Sequence, residues 1–310
     1  MQRPRGFERI VDIGRDSFST STRVLAMNLV FPLLFASLLA IQEKKPPEKF
    51  GEIDYEAKLN DILAKGITPE NNANVLIWKA LGPTPEGGKG MPAEYFKRLG
   101  IKEPPKEEGY FLKHEHYARE RLKKINQEEL SSLKDDVTDA TRRVWTAKQY
   151  PHVAGWLNTN ESALAVVIDA TKRPSYFNPL VPFHERDRPG LLINARLPSV
   201  QSCRELALAL AARALFRVGE GKFDSAWEDL IACHRLGRLV GRGALLVEGL
   251  IGYAIQSIAT NATLAYLERS PLTSKQLLEH LKEFDSLPPT PPPAAKVELG
   301  ERLSCLDSIQ

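Results

Sequence analysis

The chain has 310 residues, 43% of them apolar and 26% charged, with a formal net charge of +3. That balance excludes wholesale disorder. The first 23 residues hold five arginines against three acids, which leaves +1 for everything after Arg23 and excludes the dense basic surface that nucleic-acid binding needs.

Behind that arginine-containing lead stands VLAMNLVFPLLFASLLAI, residues 24 to 41, eighteen residues without a charge. A run of this length just spans a bilayer as a helix, so it predicts a transmembrane anchor or signal segment; a buried core helix is the alternative reading. Small residues do not occupy both minus 1 and minus 3 at any good cleavage point, which favours an uncleaved anchor. Arg5, Arg9, Arg15 and Arg23 before the run are matched by Lys44, Lys45, Lys49 and Lys58 after it. Charge therefore leaves orientation open, and the short amino-terminal tail alone places the large domain outside the membrane. The expected address is the cell membrane, with an exported soluble form if cleavage occurs.

Residues 42 to 52 read as a charged, proline-containing tether. Ile53 to Ala64 predicts a first helix, and Thr68 as cap with Pro69 behind it predicts a second over Pro69 to Leu81, stopped by Gly82 and Pro83. The loop after it contains GGKG, but Pro83 stands where a phosphate loop needs glycine and Gly90 where it needs Ser or Thr, so it reads as a surface turn. Ala93 to Leu99 closes on Gly100. Lys113 to Ile125 predicts a charged helix carrying His114 and His116, which as residues two apart on a helix diverge too far to share a metal. Further helices are expected over Glu128 to Trp145 and Glu161 to Thr171.

Five prolines between Pro174 and Pro198 predict an irregular stretch with at most a short strand over Leu191 to Ala195. Its FHERDRP segment gathers His184, Glu185 and Asp187. Those residues are the best candidates for acid–base chemistry of a hydrolase type, the alternative to a non-catalytic function. Ser199 to Val218, Asp224 to Val240, Ala244 to Leu267 and a capped helix after Thr273 follow as antiparallel neighbours. The organisation read from this is a lead over 1–23, the anchor or signal over 24–41, the tether over 42–52 and a helical region over 53–189. A hairpin region over 190–286, a Pro-rich connector over 287–295 and a terminal helix over 296–310 complete it. The stripe Val297, Leu299, Leu303, Leu306 and Ile309 on that last helix needs a surface to dock on, or sequence beyond Gln310.

Ala214, Gly221, Phe223 and Ala226 meet the small–Gly–aromatic–Ala spacing of a tetratricopeptide hairpin, in which small residues let two helix backbones approach. Arg213 and Arg217 stand where that pattern holds apolar side chains. Glu248, nearly the only charge of the third hairpin-region helix, is expected to be buried and to meet one of these arginines. The strings ITPENNANVLIWKALGPTPEGG, ATKRPSYFNPLVP and FRVGEGKFDSAWEDL resemble a family of uncharacterised bacterial proteins with an amino-terminal membrane or export segment. The resemblance implies an envelope address and a mainly α architecture, and no activity or catalytic residue. Cys203, Cys233 and Cys305 share no metal-ligand spacing and form an odd set, which indicates neither a zinc site nor a disulfide framework. No cofactor is implied. The expected partners are proteins and, through residues 24 to 41, a membrane.

Overall fold

Four of the described helices start at a side chain, Asp54, Asn72, Asn126 or Thr273, that accepts from a first-turn N–H group. In the computed structural model, which describes residues 53–88, 90–106, 109–122, 125–183 and 190–310, α1 (Tyr55–Ala64) is capped by Asp54, whose Oδ1 accepts from Ala57 N at 2.7 Å. Helix α2 (Ala73–Leu81) starts four residues later than Thr68-Pro69 predicts. Asn71 and Asn72 prevent the earlier start: Asn71 Oδ1 accepts from Thr68 N, and Asn72 bridges to Ser175 while its amide donates to Phe177 O. Side chains that bond the backbone locally draw it out of the helix. The stop at Gly82, φ +77°, is where the sequence puts it, and α3 (Ala93–Leu99) closes on left-handed Gly100.

The charged helix is α4 (His114–Leu122), and α5 (Gln127–Ala140) ends five residues before Trp145. That indole is buried and donates to Ala212 O at 3.0 Å, so Trp145 serves α8 from a turn. Helix α6 (Pro151–Thr159) has no counterpart in the sequence reading, and α7 (Glu161–Thr171) follows directly. Leu192–Asn194 forms a single 3-10 turn in place of the expected strand, and the described residues are mainly helical with no strand. Leu192 is buried there while Ile193 is exposed, and its N–H is taken by Asp307 at 2.8 Å rather than by another strand.

Helices α8 (Pro198–Gly219), α9 (Phe223–Val240) and α10 (Leu246–Arg269) pack on one another, joined by three- and five-residue connections. Their buried faces are rich in alanine and glycine, which brings backbones close. α2 and α7 lie against this trio, so the main core draws Ile77, Trp156 and Leu164 from before residue 190 together with Leu206, Leu230 and Tyr266 from after it. A satellite cluster packs Trp78, Tyr95 and Phe96 tilted or edge-to-face at centroid distances of 5.1–5.4 Å.

Helix α11 (Ser274–Asp285) carries the predicted capping box, with Thr273 accepting from Gln276 N. After the Pro-rich connector come α12 (Pro293–Lys296), a π turn (Val297–Glu301) and α13 (Arg302–Ser308). This terminal element docks: Leu303 is buried with Leu59, Leu180, Leu192 and Ala244, and Gln310 exchanges two hydrogen bonds with the Ile53 backbone. No described helix is long and apolar enough to cross a membrane; residues 24 to 41 lie outside the described residues. The described residues belong to a compact unit running from Glu52 to Gln310 with its own core.

Candidate functional site

Hairpin geometry decides the partners of the two arginines. Arg213 and Arg217 lie one turn apart on α8 and face Asp229 across the hairpin. Arg213 grips both oxygens of Asp229, Nη2 to Oδ1 at 2.6 Å and Nε to Oδ2 at 3.1 Å, while Arg217 Nη1 reaches Oδ2 at 2.8 Å. Asp229 is fully buried; burial pushes its carboxyl up, and the two guanidiniums oppose that shift. The expected contact of these arginines with Glu248 is therefore corrected, because Asp229 stands directly opposite them on the antiparallel neighbour. The signal was present: Asp229 falls between Ala226, Leu230 and Cys233, among the buried positions of α9. A cleft of about 390 Å³ opens beside the pair, between Glu161, Phe216 and Ser225.

The other hairpin residues act through packing. Ala214 and Ala226 are fully buried, Gly221 supplies the left-handed turn residue at φ +75°, and Phe223 packs half-buried at the start of α9.

Glu248 is fully buried at the first turn of α10, in a network assembled from five segments. Its Oε1 accepts from Asn178 Nδ2 at 2.8 Å and its Oε2 from the Leu245 N–H at 3.0 Å. Asn178 Oδ1 accepts from the Tyr95 hydroxyl at 2.7 Å and from Asn74 Nδ2, and Tyr95 accepts in turn from the Trp78 indole. Lys296, buried and donating to Gly243 O, sets a positive charge near the carboxylate. Burial raises the Glu248 carboxyl and lowers the Lys296 ammonium, each resisted by the other. With no exposed edge, this network clamps the central irregular stretch and the terminal element onto α10. Asn178, Tyr95 and Lys296 come from distant segments and carry no local pattern.

His114 and His116 diverge on α4 as expected: His116 is exposed and His114 buried. The structure instead sets His114 beside His152, centroids 5.4 Å apart, with Trp156 edge-on at 5.3 Å. Burial, then the neighbouring His152, pushes His114 down to about 4 from 6.5. A folded value below the unfolded one means that the unfolded chain binds more protons between these limits, so stability falls as pH drops through that window. We expect His114→Phe, which keeps the ring packing, to reduce the stability lost between pH 7 and pH 4.5 by on the order of 2 kcal/mol, read by urea unfolding at the two pH values.

His184, Glu185 and Asp187 lie outside the described residues. Cys203 and Cys233 are buried free thiols, and Cys305 is free and partly exposed. Among the described residues no three His, Cys, Asp or Glu side chains gather in metal-binding geometry.

The outward face of α10 completes the site. Between Glu248 and Glu268 the helix has no charged residue, yet Leu250, Tyr253, Leu264 and Leu267 are 58%, 41%, 55% and 42% exposed. Ser257, Thr260 and Asn261 are the exposed residues between them.

Hairpin, buried clamps and uncharged face together define an all-α protein built around a three-helix unit. No family model matches the chain, and neither a curated protein nor a solved structure shows significant similarity to it, so the resemblance read from the sequence stays an expectation.

Proposed function

We propose that this chain is an envelope-associated, non-catalytic helical module, with a tetratricopeptide-like hairpin in its core, that works through protein contacts made by the outward face of α10. The observation that carries this reading is the uncharged exposed stripe from Leu250 to Leu267, about 25 Å long at helical rise. Exposed leucines in a run of nineteen residues without a charge favour burial against another apolar helix.

The stripe commits to one occupant, a second copy of this chain. Its positions are palindromic: turned end for end about the point between Ile258 and Ala259, Leu250 falls on Leu267, Tyr253 on Leu264 and Ser257 on Thr260. A two-fold axis between antiparallel helices imposes that exchange, residue i meeting j and j meeting i. The face carries no charge to repel its copy.

Sedimentation equilibrium of the chain from residue 53 onward tests this. The expected result is a dimer, with Leu264→Lys monomeric and equally folded, because a buried unpaired ammonium is costly. A monomeric mass for the unaltered unit overturns the reading and leaves the face to a partner of another kind.

A further inference from the structure

On the opposite end of α9 from the Arg213–Asp229 cluster, a cleft of about 430 Å³ is walled by the end of α7, the last turns of α9 and the start of the Pro-rich connector. Five cations line it: Lys172, Arg173, Arg235, Arg238 and Arg242. Two are neutralised, Lys172 by Asp169 at 2.9 Å and Arg235 by Glu283 at 2.9 Å. The other three make no ion pair among the described residues.

They are held instead by backbone carbonyls. Arg173 donates to Pro69 O and Asn72 O at 2.6 and 2.9 Å, Arg238 to Leu287 O and Pro288 O at 2.8 Å, and Arg242 to Pro174 O at 2.6 Å. A carbonyl satisfies an N–H without cancelling the charge. The ends of α7 and α9 supply partial negative charge of about half a unit each, well short of three guanidiniums. Glu70, exposed, bears on Arg173 from the surface.

The geometry also leaves donors free. Each of the three arginines bonds its carbonyls through Nη1 alone, so every Nη2 lacks a protein partner among the described residues. Arg238 Nε is buried with no hydrogen-bond partner among the described residues, the guanidinium lying 5.4 Å above the Phe284 ring. Three guanidiniums anchored at one nitrogen, with the rest of the fork unused, form a preorganised receptor for a planar-edged oxyanion. The volume falls in the range of small-molecule pockets.

We propose that this cleft binds a phosphate group, as carried by a small phosphate monoester or a phospholipid headgroup, through Arg173, Arg238 and Arg242. The site is independent of the α10 face and of any pairing through it. Arginine suits these three positions because its planar fork, anchored to a carbonyl at one nitrogen, presents its remaining donors in a fixed geometry.

The test is calorimetric titration of the full chain, held in zwitterionic micelles, with glycerol 3-phosphate and with inorganic phosphate at constant ionic strength. Saturable binding is expected, weakened roughly tenfold or more by Arg242→Gln, the loss set by one charge-assisted contact. Arg242→Lys, which keeps the charge and loses the fork, falls between, and melting without ligand checks that both variants fold. Phosphatidylglycerol doped into the micelles competes with the soluble ester if a headgroup is the natural source and leaves its affinity unchanged if a free ester is. Heats that match chloride at equal ionic strength, or an affinity that is the same in Arg242→Gln, Arg242→Lys and the unaltered chain, would overturn the proposal.

Discussion

Gly252→Ala is expected to lower stability by about 3 kcal/mol, at the upper end of overpacking costs, because the added methyl group meets backbone rather than side chain. A Cβ at Gly252 would stand 2.7 Å from Gly237 O, 2.7 Å from Gly241 Cα and 2.8 Å from Gly241 N. Gly237 on α9 is equally confined, its own Cβ position lying 3.0 Å from Gly252 O. The two helices therefore touch main chain to main chain, and relief requires moving α10 bodily. Thermal unfolding followed by circular dichroism reads this as a fall of roughly 6 to 12 °C for a unit of this size. A change below about 2 °C would show that the helices separate freely and that the close approach is not what sets the packing of α10.

A loss of about 3 to 5 kcal/mol is expected for Asp229→Ala, since it strands a buried guanidinium. Arg213 is 6% exposed and bonds both carboxylate oxygens, so its charge has little route to water. Arg217, more exposed and also held by Ser225 O, loses less. The contrast to measure is Asp229→Leu combined with Arg213→Leu: replacing both by apolar side chains costs less than Asp229→Leu alone, because the buried guanidinium goes with the acid and only the more exposed Arg217, still held by Ser225 O, loses its partner. Denaturant unfolding of the single and double variants forms the cycle. Additive losses would mean that the pair is not coupled.

Residues that speak through local pattern were legible in the sequence. Gly82 and Gly100 close α2 and α3 where their left-handed backbones require, and Thr273 with Gln276 opens α11 through reciprocal caps. The three-helix unit followed from apolar periodicity and short connections, and the burial of Glu248 from its isolation on an uncharged helix. Its partners did not follow, because Asn178 lies 70 residues away, Tyr95 reaches it only through Asn178, and Lys296 comes from the terminal element, whose docking surface no local pattern names. Asp229 was passed over for a different reason. Its charged neighbours Glu228 and Asp224 suggest a solvated face, whereas its helical spacing from Ala226, Leu230 and Cys233 sets it on the buried one. Helix α6 stayed hidden because Gly155 sits mid-element; there the Tyr117 hydroxyl fills the space where a Cβ would lie, so tertiary packing and not propensity requires the glycine.

The α10 palindrome is tested most directly by restoring what a charge destroys. In the antiparallel pair Leu264 of one copy faces Tyr253 of the other, twice, by symmetry. Leu264→Lys alone is expected to sediment as a monomer, and adding Tyr253→Glu in the same chain is expected to return the dimer by setting a carboxylate opposite each ammonium. A double variant that stays monomeric while Leu264→Lys retains its fold, or a Leu264→Lys chain that still dimerises, would contradict the claim that a second copy covers this face.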